Sequence, residues 1–135
     1  MVIVILAATA WATLGPGAEP VHTITGEMAL RDSDRFDYDV GDSCSGSGGY
    51  SDIAQGAPVT VKNQSGTVIG SGSLGPGTIE GDTTAVRACV FPFQVDDVSD
   101  AEFFQVEISR RGVLSYSKAD MEANGWTLHF SLGNE

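Results

Sequence analysis

Four stretches of this chain alternate apolar and polar residues with a period of two, and that alternation limits the fold more than any other feature. Ile24, Met28 and Leu30 interleave with Thr23, Thr25 and Glu27, and Val59 and Val61 with Thr60 and Lys62. Phe104, Val106 and Ile108 interleave with Gln105, Glu107 and Ser109. Trp126, Leu128, Phe130 and Leu132 interleave with Thr127, His129 and Ser131. Successive side chains of a β-strand point to opposite faces, so each run reads as a strand with one buried face. Turn signals punctuate the runs. Asn63-Gln-Ser-Gly66 reads as a hairpin loop and Leu74-Gly-Pro-Gly77 closes the strand that follows it. Arg110-Arg111-Gly112 joins two further strands by a tight turn, in which Gly112 is free to take positive φ. Residues 31–57 lack clear periodicity and are rich in Asp, Ser and Gly, so a long loop with no more than a short strand is expected there.

One helix is expected, over Lys118 to Asn124. Ser117 can cap it, Asp120 stands at the capping-box position, and Gly125 can terminate it. It is too short to form a layer and serves as a crossover. The sum is an all-β chain: an immunoglobulin-like antiparallel β-sandwich of about seven strands with one short crossover helix. The 135 residues suffice for one such domain and not for two.

The first residues stand apart. Met1-Val-Ile-Val-Ile-Leu-Ala-Ala-Thr-Ala-Trp-Ala12 is almost continuously apolar. It falls short of the roughly 20 residues that span a bilayer and fits a signal-peptide h-region. Ala8-Thr9-Ala10 and Ala10-Trp11-Ala12 both have the small-x-small form that signal peptidase accepts. No Lys or Arg precedes the run, so a start further upstream or the trailing half of a membrane anchor is expected. The bland alternative is a buried strand of the domain itself. Leu14-Gly-Pro-Gly-Ala-Glu-Pro20 reads as a linker. Residues 1–20 are therefore assigned to leader and linker and residues 21–135 to the β-sandwich, which the leader places outside the cytoplasm, secreted or attached to the cell envelope.

The chain holds 18 acidic against 7 basic residues, a net charge of −11. Such a surface repels nucleic acid and anionic headgroups, so no nucleic-acid partner is expected, and membrane contact only through an N-terminal anchor. Solubility is the plain reading of the charge; a bound cation or a basic partner is the functional one. The two cysteines, Cys44 and Cys89, lie 45 positions apart. An even count in an exported chain suggests a bridge, with two free buried thiols as the alternative. A bridge would pin the long acidic loop to the strand near Cys89.

The chemistry-bearing motifs are weak. In the stretch from Asp32 to Asp42, the residues Asp37, Asp39 and Asp42 with Gly41 resemble loops that wrap Ca²⁺ with hard oxygen ligands. The EF-hand spacing fails, however. With Asp37 and Asp39 in the first and third places, Gly41 and Gly48 occupy the fifth and twelfth, where carboxylates belong, and Arg35 sits among the acids. The segment Cys44–Ile53 has glycines but no phosphate-loop spacing. His22 lies at the linker end and His129 on the polar face of the last strand, too few to make a zinc site without further ligands. Gly46-Ser47-Gly48 and Gly70-Ser71-Gly72 are too short for a nucleophile elbow. Asp96-Asp97, close to Asp100, belong to a loop in a chain rich in acids. Phe91, Phe93, Phe104, Trp126 and Phe130 could line a groove, but inward-facing core positions account for them.

Several segments together resemble a known group. These are Cys44-x-Gly-x-Gly-Gly-Tyr-x-Asp-Ile53, Val59-Thr-Val-Lys, Gly66-x-Val-Ile-Gly-x-Gly-x-Leu-Gly-x-Gly77 and Cys89-Val-Phe-Pro-Phe-x-Val95, followed by Glu107-Ile-Ser-Arg-Arg-Gly-x-Leu-x-Tyr-Ser117 and Gly125-Trp126. The pattern is similar to small exported or membrane-anchored β-domain proteins of actinobacteria whose function is not established. The resemblance implies a paired Cys44 and Cys89 and an extracytoplasmic β domain, and brings no catalytic residues. The reading is thus a non-enzymatic extracytoplasmic domain without a cofactor that binds an unknown protein or envelope partner or serves structurally. The alternatives are a Ca²⁺ module using Asp37, Asp39 and Asp42, or an enzyme of unrecognised type.

Overall fold

The alternating runs become strands, as their period requires. A computed structural model describes residues 20–31, 39–81 and 87–133. The elements in chain order are β1 (Val21–Arg31), β2 (Ser43–Cys44), a 3-10 turn (Gly48–Tyr50), β3 (Pro58–Lys62), β4 (Val68–Leu74) and β5 (Gly77–Gly81). They continue with β6 (Arg87–Ser99), β7 (Phe103–Ile108), β8 (Val113–Ser117), the helix α1 (Lys118–Ala123) and β9 (Thr127–Gly133). The leader and Asp37 lie outside the described residues.

Among the described residues the strands form an all-β sandwich with one short helix. β6 organises it. Along one side β6 pairs antiparallel with β1, from Val21 opposite Ser99 to Leu30 opposite Cys89. Its other side pairs first with β5 and then, at Gln94 and Phe93, with the end of β4. One half of the sandwich is therefore β9-β1-β6-β5-β2, and the other is β4-β3-β7-β8. β9 lies parallel to β1, from Thr25 opposite Thr127 to Arg31 opposite Gly133, so the first and last described strands are neighbours.

Among the described residues nine strands form where about seven were expected. β2 has only two residues and lies inside the stretch read as a loop, where so short a strand leaves no period to detect.

Both halves face one apolar core. Ile24, Leu30, Ile53, Val59, Val61, Phe91 and Phe104 are fully buried in it. In β7 the inward residues are Phe104, Val106 and Ile108, in the phase the sequence set. Most of the aromatic residues fill this core, and of the five only Phe130 also borders an open slot, between β8 and β9. Phe91, Phe93, Phe104 and Phe130 are buried, and Trp126 packs against their cluster. Gly26 breaks the apolar phase of β1 because a Cβ there would stand 2.6 Å from the Phe93 ring. α1 begins with the expected capping box: Ser117 Oγ accepts from the Asp120 amide and the Asp120 carboxylate accepts from the Ser117 amide. Its single buried residue, Met121, anchors it to the core. Among the described residues no helix is long and apolar enough to cross a membrane.

Cys44 and Cys89 form a disulfide, with Cα atoms 5.9 Å apart. It joins the short edge strand β2 to the centre of the sheet and passes over β5 at Gly77. A Cβ at Gly77 would lie 2.9 Å from Cys89 Sγ, 2.6 Å from the Phe91 ring and 2.5 Å from the Cys44 carbonyl. The bridge and the glycine beneath it are one packing unit.

Candidate functional site

The densest set of interacting ionisable and aromatic side chains sits at the end of the sandwich where β1 begins. His22 is near the start of β1, Asp100 lies in the β6–β7 connection, Lys118 opens α1, and Trp126 is in the turn after it. Backbone hydrogen bonds hold these pieces together. The Asp100 amide donates to the Pro20 carbonyl at 3.3 Å, and the Lys118 amide to the Glu102 carbonyl at 2.9 Å.

Asp100 is the hub. One carboxylate oxygen lies 2.9 Å from His22 Nε2, and the other accepts from Lys118 Nζ at 2.9 Å. The Lys118 ammonium, and after it the His22 ring, hold the Asp100 carboxyl below the usual carboxylate range. The same contact raises Lys118 above the ordinary lysine value. His22 is stacked on Trp126, and the Phe104 ring meets the Trp126 ring edge-on at 5.3 Å. Beside the cluster lies a broad open hollow of about 600 Å³, lined by Gln64, Asp100, Ala101, Glu102, Ser117 and Lys118.

An Asp–His pair can orient an imidazole as a base. Here both carboxylate oxygens are committed to fixed partners, so the arrangement fastens the start of β1 to the β6–β7 connection and to α1. The local sequence gave no signal for it. His22 and Asp100 are 78 positions apart, and each looks ordinary among its neighbours.

A second charged cluster lies at the opposite end of the sandwich. Arg111 grips Asp52 through Nε at 3.0 Å and through Nη2, and Nη2 also donates to the Gly49 carbonyl. Ser109 Oγ donates to Asp52 at 2.8 Å, and the guanidinium lies 5.2 Å from the Tyr50 ring centre. Arg111, and then Ser109, hold the Asp52 carboxyl below the usual range. This clasp ties the loop beyond Cys44 to the β7–β8 turn.

The remaining sequence candidates are dispersed. Asp39 and Asp42 share one turn, in which the Asp42 carboxylate accepts the Asp39 amide at 3.2 Å. The turn is joined to β5 by backbone bonds between Gly41 and Ile79 and between Ile79 and Asp42. Among the described residues no group of three or more His, Cys, Asp or Glu is placed to hold a metal ion. His129 is exposed on the polar face of β9, as expected, 3.7 Å from Glu27. No family model, curated protein or solved structure matches the chain.

Proposed function

We propose that this chain is an extracytoplasmic, non-enzymatic domain, secreted or attached to the cell envelope, that binds a protein or envelope partner or serves structurally. The observation that carries the location is the Cys44–Cys89 disulfide, since structural bridges persist in oxidising compartments and are rare in the cytosol. The apolar leader and the resemblance to exported actinobacterial β domains support the same location. The non-enzymatic reading draws support from the two charged clusters. Asp100 gives its oxygens to His22 and Lys118, and Asp52 to Arg111 and Ser109, so both act as fasteners between distant segments. The net charge of −11 favours a basic or neutral partner over nucleic acid or an anionic membrane surface.

Fractionation of producing cells, with thiols alkylated before any reduction, tests the location. The protein is expected outside the cytoplasm with both cysteines protected. Cytosolic protein with two alkylated thiols would overturn it. Crosslinking on intact cells with a membrane-impermeant reagent then identifies the partner. A substrate turned over by the purified protein but left unconverted by a folded Asp100→Asn variant would refute the non-enzymatic reading.

A further inference from the structure

The described sandwich has three strands that pair on one side alone: β2, β9 and β8. Such edges are templates for a further strand, and natural proteins guard them with charge, proline, bulges or brevity. β2 has only two residues. β9 carries His129 close to Glu27, and Arg31 of the adjoining strand reaches across to Ser131. β8, Val113-Leu-Ser-Tyr-Ser117, has neither a charge nor a proline. Its Val113 and Leu114 are 45% and 51% exposed. Leu114 stands opposite Val106 in the hairpin and so belongs to the inward row. It borders an apolar slot of about 290 Å³ lined also by Met28, Val106, Ile108 and Phe130.

The charges at the two ends of β8 have opposite sign. Arg110-Arg111 lies just before it; after it come Lys118, whose charge is paired with Asp100, and then the carboxylates Asp120 and Glu122 of α1. We propose that β8 is an interface between two copies of this chain, paired edge to edge, antiparallel about Ser115. That arrangement sets Leu114 of each copy against Tyr116 of the other and lengthens each four-stranded half into a continuous sheet of eight. It also carries the Arg110-Arg111 turn of each copy toward the acidic helix of the other. A parallel pairing would place like charges together, so the charge order along the chain selects the antiparallel, two-fold form. The net charge of −11 does not forbid contact, because exposed charges are screened beyond about 8 Å at physiological ionic strength. The inference is independent of where the chain resides.

Sedimentation velocity on the purified protein over about 10 to 500 µM, a range that reports micromolar association, is the test. A concentration-dependent dimer is expected. Leu114→Lys, which places a charge on the edge, should shift the dissociation constant at least tenfold, while His129→Lys on the β9 edge should leave it unchanged. Arg110→Glu should weaken the dimer and Glu122→Arg in the same chain should restore it. Near-UV circular dichroism confirms that each variant is folded. A monomer throughout the range would overturn the proposal. So would a dimer that survives in folded Leu114→Lys, or one abolished by His129→Lys.

Discussion

The ring of His22 lies flat on that of Trp126, with centroids 3.9 Å apart and planes 9° from parallel. Trp126 has φ of +61°, a conformation that costs a bulky residue about 1–3 kcal/mol and persists only where the surroundings hold it. Here the Trp126 amide donates to Met121, its carbonyl accepts from Thr25, and its two flanking rings fix the indole. The stack thus couples the first residues of β1 to the turn that launches β9.

His22→Ala removes the stack and one of the two partners of Asp100. A loss of about 1–3 kcal/mol in urea denaturation is expected, from an aromatic contact and a half-buried charge-assisted hydrogen bond. Lys118→Met removes a more exposed contact and should cost less than His22→Ala. Near-UV circular dichroism should change for His22→Ala and remain for Lys118→Met. Equal effects of the two variants would mean that the ion pair, not the stack, holds this end.

Acid should loosen both ends of the sandwich. Asp100 is held below its ordinary range chiefly by Lys118, and Asp52 chiefly by Arg111. A carboxyl whose folded value lies below its unfolded value of about 4 stabilises the fold above that pH, and the contribution fades as pH falls through the folded value. The thermal midpoint should therefore drop below about pH 4, and the drop should be shallower in Asp52→Asn/Asp100→Asn. An acid limb of unchanged slope in the double variant would assign it to other carboxylates.

The disulfide and the glycine beneath it make a separable pair of predictions. Replacing both cysteines by Ala should cost about 4 kcal/mol by the loop-closure model. Gly77→Ala forces a methyl group against Cys89 Sγ and the Phe91 ring, and overpacking of this kind costs about 1–3 kcal/mol. Guanidinium midpoints at matched slope give both values. Gly77→Ala with wild-type stability would show that β5 can shift away from the bridge.

Calcium provides a further check. The turn that carries Asp39 and Asp42 is already closed by the Asp42 carboxylate on the Asp39 amide and by backbone bonds to β5. About 1 mM CaCl₂, enough to fill ordinary extracellular sites, should move the melting midpoint by less than about 1 °C. A rise of several degrees would place a bound cation on this stretch.

What could be read in advance was what is local. The period-two runs gave the inward residues of β3 and β7, and the capping box placed α1 within a residue of its end. The Arg110-Arg111-Gly112 turn was legible for the same reason, since φ at Gly112 is +94°. The pairing of β1 with β9 and the meeting of His22, Asp100 and Lys118 were not, because each depends on segments that only the whole fold brings together. Its neighbours in sequence put His22 at the end of a linker, whereas it belongs to β1 and is largely covered. Its burial comes from Trp126, more than a hundred positions away, which no pattern around His22 could reveal.

The parallel seam between β1 and β9 also sets an order of events. Among the described strands Val21–Arg31 is made first and Thr127–Gly133 last, yet they are partners along most of their length. A growing chain therefore leaves one side of β1 unpaired, and Leu128 and Phe130 missing from the core, until Thr127–Gly133 has been made. Contacts of such long sequence separation form slowly. Closure of the sandwich therefore waits on the docking of β9, and until then the seam side of Thr25–Arg31 stands open.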